Sequence, residues 1–379
     1  MPGIYIHIPF CKQACNYCDF HFSTSLKNKD AFLSALKQEI SLQKNYLKPS
    51  PEGEGRVRSV YFGGGTPSLL SSEELLEIFD ELNKHFKISP DAEITLEANP
   101  DDLSKGKIKQ LRDTPVNRLS IGIQSFFDED LRYMNRAHTS QMAVDAVKAA
   151  QDFGFSNITI DLIYGTPTLN DENWKSNLDK AFALGVQHIS SYALTVEAKT
   201  ALDHAIKTGK SKNVDDQQTA RQFEILISEM KKNKFIQYEI SNFCKEGFHS
   251  RHNSNYWLKE HYLGLGPSAH SYDGVSRQWN VRNNNLYIQS LEKAELNFEK
   301  EILTPDQQYN EYILTSLRTM WGTDLAQIKR MGEKYLKNCV SEVETYIASG
   351  DVILKENFLF LTDKGKLIGD RIASDLFLV

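Results

Sequence analysis

Residues 7–20 read HIPFCKQACNYCDF and place Cys11, Cys15 and Cys18 at CxxxCxxC spacing. Thiolates bind soft metals and do redox chemistry, so the first question is what one loop does with three of them. A structural zinc site takes four ligands, usually as two separated pairs. No second CxxC exists in the chain, so His7 or His21 would have to complete such a site. A thioredoxin-type pair formed by Cys15 and Cys18 leaves Cys11 without a role. A 4Fe–4S cluster suits the count better, because three thiolates then leave one iron with an open coordination position. The other cysteines, Cys244 and Cys339, stand far apart. No disulfide framework is expected, and a reduced, cytoplasmic protein follows.

Further polar candidates sit at the ends of short β-branched runs. IYIHI (4–8), SVYF (59–62), EITLEA (93–98), RLSIGI (118–123), NITIDLIYG (157–165) and HISSYAL (188–194) read as strands. Between them, SEELLEIFDELNKHF (72–86) and QMAVDAVKAAQDFGF (141–155) carry helical spacing. GGGTP follows the second strand, Glu97 and Asn99 the third, Gln124 and Ser125 the fourth, and Asp161 falls late in the fifth. Strand C-termini carry the chemistry of β/α barrels, so these residues predict a ring-shaped site. Six units predict a partial (β/α)6 barrel, open along one side. A doubly wound sheet would place its site at the same strand ends, and the pattern does not separate the two. Gly63, Gly64 and Gly65 let backbone approach a ligand where a Cβ would block it. Glu97 can accept hydrogen bonds from an ammonium or a ribose, and Arg136 is suited to clamp a carboxylate.

The 379 residues are 40% hydrophobic and 25% charged, the balance of a soluble globular protein. A net charge of −6 gives no reason to expect nucleic acid as a partner. No apolar run is long enough for a membrane span, and the first residues show no signal peptide. After residue 200 the alternation weakens into a helix over 215–235 and an aromatic, histidine-rich stretch over 249–272. Residues 351–379 read as strand, turn, strand, helix, a winged-helix-like ending. The expected organisation is a barrel core over 1–235, an extension over 236–303, and a small C-terminal helical or winged-helix-like domain over 304–379.

YIHIPFC (5–11), GGGTP (63–67), LEANP (96–100), GIQSF (122–126), MNRAH (134–138) and DLIYGTP (161–167) follow one another in order. With these motifs the chain resembles the radical S-adenosylmethionine (SAM) superfamily. Within it, the chain is similar to the family of oxygen-independent coproporphyrinogen III dehydrogenase and its haem-chaperone branch. The resemblance implies a 4Fe–4S cluster on Cys11, Cys15 and Cys18 whose free iron chelates SAM. It implies SAM contacts at Tyr5, Tyr17, Gly64, Gly65, Thr66, Glu97, Gln124, Arg136, Asp161 and Ala193. Two departures from the dehydrogenase pattern point to the chaperone branch. Phe20 replaces a further cysteine, and the chain begins four residues before Tyr5, without the N-terminal extension. HNSNYW (252–257) matches the HNxxYW pattern of that branch. The implied function is haem binding, with His252, Tyr256 and Trp257 as candidates, and delivery to haem proteins of respiration. Should His252 not be the ligand, His249, His261 and His270 come next. Any membrane association would run through partner proteins. No catalytic residue is assigned. The alternative is the dehydrogenase itself, oxidative decarboxylation begun by a 5′-deoxyadenosyl radical.

Overall fold

The structure, a computed structural model, describes residues 2–47 and 56–378. Six strands, β1 (Gly3–Ile8), β2 (Val57–Gly64), β3 (Ile88–Ala98), β4 (Arg118–Gln124), β5 (Ile158–Tyr164) and β6 (His188–Ala193), lie side by side in chain order. All pair in parallel. A doubly wound sheet would reverse its order about a switch point, and this one does not. The fold is the partial (β/α)6 barrel. Successive side chains on each strand point to opposite faces. Ile4, Ile6, Val60, Phe62, Leu96, Leu119, Ile121 and Ile160 are fully buried in the core formed with the surrounding helices. Their alternates Tyr5, Tyr61, Glu97, Arg118, Ser120, Asp161 and Ser190 line the lumen. The helices begin where the sequence caps them: Ser71 and Glu74 form a capping box before Ser72–His85, and Thr139 caps Ser140–Asp152.

An open barrel leaves two sheet edges with unpaired backbone groups, and later strands cover both. Beyond β6, β7 (Ile236–Glu239) and β8 (Asn242–Cys244) add antiparallel in the order β6-β8-β7. Beyond β1, β9 (Tyr262–Leu265) pairs in parallel, followed by antiparallel β10 (His270–Tyr272), β11 (Ser276–Asn280) and β12 (Phe298–Ile302). Residues 236–303 therefore continue the barrel sheet at both ends to twelve strands, and Leu263, Leu265 and Tyr287 join the barrel core. The helix Arg251–Trp257 connects the two sides beneath the N-terminal ends of the strands.

Residues 305–378 form helices Pro305–Leu317, Leu325–Met331 and Glu333–Ala348. A small antiparallel sheet of β13 (Thr323–Asp324), β14 (Val352–Lys355) and β15 (Phe358–Leu361) packs on them in winged-helix-like fashion. This unit has its own core, built around Tyr309, Ile313, Cys339 and Leu359. Ile240 packs against both cores and joins the unit to the barrel. Among the described residues no helix is long and apolar enough to cross a membrane.

Candidate functional site

The loop after β1 carries the cysteines and is pinned on both flanks. At its base the Cys11 amide donates to the Ser23 carbonyl (3.0 Å) and the Ser23 amide to that of Pro9 (2.9 Å). At its tip the Asn16 amide donates to the Met134 carbonyl (3.1 Å), and Asn135 Nδ2 to the Ala14 carbonyl (2.7 Å). MNRAH thus acts as a clamp for the loop. Cys11, Cys15 and Cys18 are free and half-buried. Among the described residues no three His, Cys, Asp or Glu side chains converge on the position of a single metal ion. The thiols instead face one common cavity, the arrangement a polynuclear cluster with three protein ligands requires.

That cavity, of about 490 Å³, is walled by the three cysteines with Tyr17, Gly64, Gly65, Thr66, Glu97, Gln124, Arg136, Asp161 and Ala193. Tyr5 lies deeper, its ring 6.1 Å from that of Tyr61. Arg136 organises the wall. Its Nη1 donates to Cys15 Sγ (3.2 Å) and its Nη2 to Asn99 Oδ1 (2.6 Å) and the Gly122 carbonyl (2.8 Å). Its Nε is buried without a hydrogen-bond partner. Asn99 Nδ2 in turn donates to Thr66 Oγ1 (3.1 Å). Burial pushes the Cys18 thiol up to about 11, and neighbouring Cys15 and Cys11 add to the shift. Metal binding needs thiolates, so a cationic centre here would reverse that balance. Burial likewise lifts Glu97 to about 7 and Asp161 to about 6; Tyr61, donating to Glu97 Oε1 at 2.7 Å, works against the first shift. Two desolvated carboxyls suit a ligand carrying an ammonium and hydroxyls.

The glycines have a nearer reason than ligand approach. Gly64 has φ +101°, and a Cβ there would lie 2.5 Å from the His7 ring. A Cβ on Gly65 would lie 2.5 Å from the Phe10 carbonyl. The Gly65 and Thr66 amides donate to the Ile8 and Phe10 carbonyls (2.8 and 2.6 Å). GGGTP therefore packs β2 against the start of the cysteine loop as well as facing the cavity.

Below lies a second cavity of about 230 Å³ that shares Glu97, Ser120, Asp161 and Tyr192 with the first. At its floor Arg118, 2% exposed, donates to Thr95 (3.4 Å) and Thr159 and pairs with Glu93 (3.9 Å). His252 is 3% exposed and uses both ring nitrogens, Nδ1 with Ser59 Oγ and Nε2 with the Tyr256 hydroxyl, each at 2.9 Å. Its ring stacks on Tyr61 at 5.1 Å, and burial holds its pKa down at about 3. Iron would have to displace one of those bonds. Trp257 turns the other way, with Arg318 5.4 Å above its ring at the junction with the C-terminal unit. The structure does not bring His252, Tyr256 and Trp257 onto one porphyrin face; the segment plugs the barrel floor. Arg118 and Tyr61 belong to the site although no motif singles them out. The available signal was period two: Arg118 falls in line with Ser120, Gly122 and Gln124 along an otherwise apolar strand.

Residues 5–181 match the family described as the Radical SAM superfamily. Over 98% of its length the chain is 35% identical to the heme chaperone HemW of Bacillus subtilis (strain 168), covering 98% of that protein. The chain belongs to the HemW family of the radical SAM superfamily. A second HemW-family relative, from Mycobacterium tuberculosis H37Rv, is 35% identical over 99% of the chain and 94% of its own length. Among solved structures, coproporphyrinogen III oxidase (HemN) from Escherichia coli superposes with a TM-score of 0.84 at 23% identity, over 99% of this chain and 90% of that one. This chain thus shares its fold with HemN over nearly its whole length, including the C-terminal unit.

Proposed function

We propose that this chain is a haem carrier: it holds a 4Fe–4S cluster and SAM, binds haem, and hands it to haem proteins such as respiratory cytochromes. The observation that carries this is 35% identity over nearly the whole chain to relatives named heme chaperone. Phe20 at the position of the dehydrogenase's further cysteine supports carriage over porphyrinogen decarboxylation. When bound, the cluster supplies an iron with an open coordination position that SAM can occupy. The chain's own residues do the holding. Arg136 steadies Cys15 and Asn99, Asn99 steadies Thr66, and Glu97 and Asp161 offer acceptors to the ligand's ammonium and hydroxyls. The work is cytoplasmic, and any approach to a membrane runs through partner proteins.

The test is anaerobic reconstitution followed by iron and sulfide analysis, haem titration, and incubation with SAM, reductant and coproporphyrinogen III. Iron and sulfide in the ratio of a 4Fe–4S cluster, saturable haem binding and no protoporphyrinogen IX are expected. Stoichiometric zinc without sulfide would remove the cluster. Steady decarboxylation would favour the dehydrogenase.

A further inference from the structure

The lower cavity holds a stack of three rings. Tyr5 on β1 and Tyr61 on β2 are register partners, 6.1 Å apart at 24°. The His252 imidazole lies against both, 5.1 Å from Tyr61 at 23° and 6.3 Å from Tyr5 at 28°. Gly3 makes room for it, since a Cβ there would lie 2.7 Å from Ser59 Oγ and 3.2 Å from His252 Nδ1. At the far side of the stack, a Cβ on Gly63 would lie 2.9 Å from the Tyr5 ring and 3.0 Å from that of Tyr61.

Each ring is tied to the one it supports. His252 is held by Ser59, two residues before Tyr61 on the same face of β2, and by Tyr256 one helical turn on. Its amide donates to Glu93 Oε1 on β3 (3.1 Å), and Asn253 Nδ2 donates to the Tyr238 hydroxyl on β7 (3.1 Å). The His, Asn and Tyr of HNxxYW thus lock the imidazole in place. Tyr61 carries that order upward through its hydroxyl, which donates to Glu97 Oε1 at 2.7 Å. Among the described residues Glu97 receives no other side-chain hydrogen bond. Glu97 borders both cavities, whereas Tyr61 and His252 line the lower one and not the cysteine cavity. The stack stands behind Glu97, out of a ligand's way.

We propose that His252 and Tyr61 are positioning residues for the SAM site, holding the Glu97 carboxylate towards the ligand from beneath. This deepens the proposed SAM binding, rests on that reading, and does not depend on haem. The charged and titratable groups around Glu97 are Tyr5 (β1), Tyr61 (β2), Arg118 (β4), Asp161 (β5) and Tyr256 of the floor helix. Burial and the nearby Asp161 favour its neutral form. The Tyr61 hydroxyl and the Gly64 amide oppose them by bonding the charged form. Without a fixed Tyr61, Glu97 would keep its proton near neutrality and accept less well from SAM.

The experiment is equilibrium dialysis of SAM against the full-length reconstituted protein from about pH 6 to about pH 8.5. Wild-type affinity should fall on the acidic side of about pH 7, where Glu97 takes up its proton. Tyr61→Phe keeps the ring and loses only the donor, so it should move that fall up by about one pH unit. The ionised fraction at pH 7 then drops about fivefold, and affinity with it, while most of the loss vanishes by about pH 8.5. His252→Ala, judged where circular dichroism shows a folded chain, should shift the fall the same way by a smaller step. His252→Phe restores a ring against Tyr61 but cannot ligate iron, and it should return the profile towards wild type. Binding weakened equally at every pH would be a general structural defect and would overturn the proposal. If wild type binds SAM while either folded variant keeps the wild-type profile, the positioning role is overturned and SAM binding stands. If wild type binds no SAM, both fall.

Discussion

At the scale of single residues, Arg136 links the motifs. One guanidinium reaches the Cys15 sulfur, Asn99 of LEANP and the Gly122 carbonyl of GIQSF. Its hydrogen bond to the Cys15 sulfur holds that ligand atom in place at the cavity wall. Replacing it with alanine removes charge-assisted hydrogen bonds worth about 1.5–3 kcal/mol each. Arg136→Ala should therefore bind SAM more weakly in equilibrium dialysis and lose iron faster to a chelator. Arg136→Lys should recover only part of either, since an ammonium cannot span the same fork. Wild-type values for both measurements in Arg136→Ala would show that the cavity organises itself without this side chain.

At the scale of elements, the strands of the barrel were legible because β-branched runs of period two alternate with helical spacing. The short strands β7 to β10 were not. Runs of three or four residues carry no measurable period, and they exist because the open barrel's edges needed partners. Site residues at strand ends were legible through their motifs. The floor of the lumen was not, because Arg118 and His252 take their meaning from contacts across the barrel. Glu39 is a further case. It lies on the buried stripe of helix Lys29–Leu42, 1% exposed, and accepts from the Gly266 amide (2.8 Å), Asn280 Nδ2 (2.6 Å) and the Tyr287 hydroxyl (2.5 Å). It ties the first helix to the added strands. Burial raises its carboxyl from 4.5 to about 7 despite those donors. The folded state therefore holds a proton that the unfolded chain releases, and this contribution to stability is lost as pH rises from 4.5 through about 7. Glu39→Gln should flatten the fall in urea midpoint between about pH 5 and pH 8. Glu39→Ala should lower the midpoint throughout, each orphaned donor costing about 1–3 kcal/mol. An unchanged slope in Glu39→Gln would assign the pH dependence to other buried acids.

At the scale of the whole molecule, the apolar core lies outside the barrel wall, between sheet and helices, and the C-terminal unit has a second core of its own. Neither core contains a cysteine of the loop. Stripping the iron and sulfide should leave the far-UV circular dichroism intact while loosening residues 11–22. Limited trypsin digestion should then cut after exposed Lys12 faster than in the reconstituted protein. Cleavage spreading through the barrel instead would mean that the cluster supports the entire fold. The same separation bears on how such a chain can change over evolutionary time. Stability resides in the outward Ile, Val, Leu and Phe of the strands, and chemistry in the inward Tyr, Glu, Arg and Asp. A duplicated copy could exchange its lumen lining piece by piece, from turnover to transport or back, while the coat kept it folded.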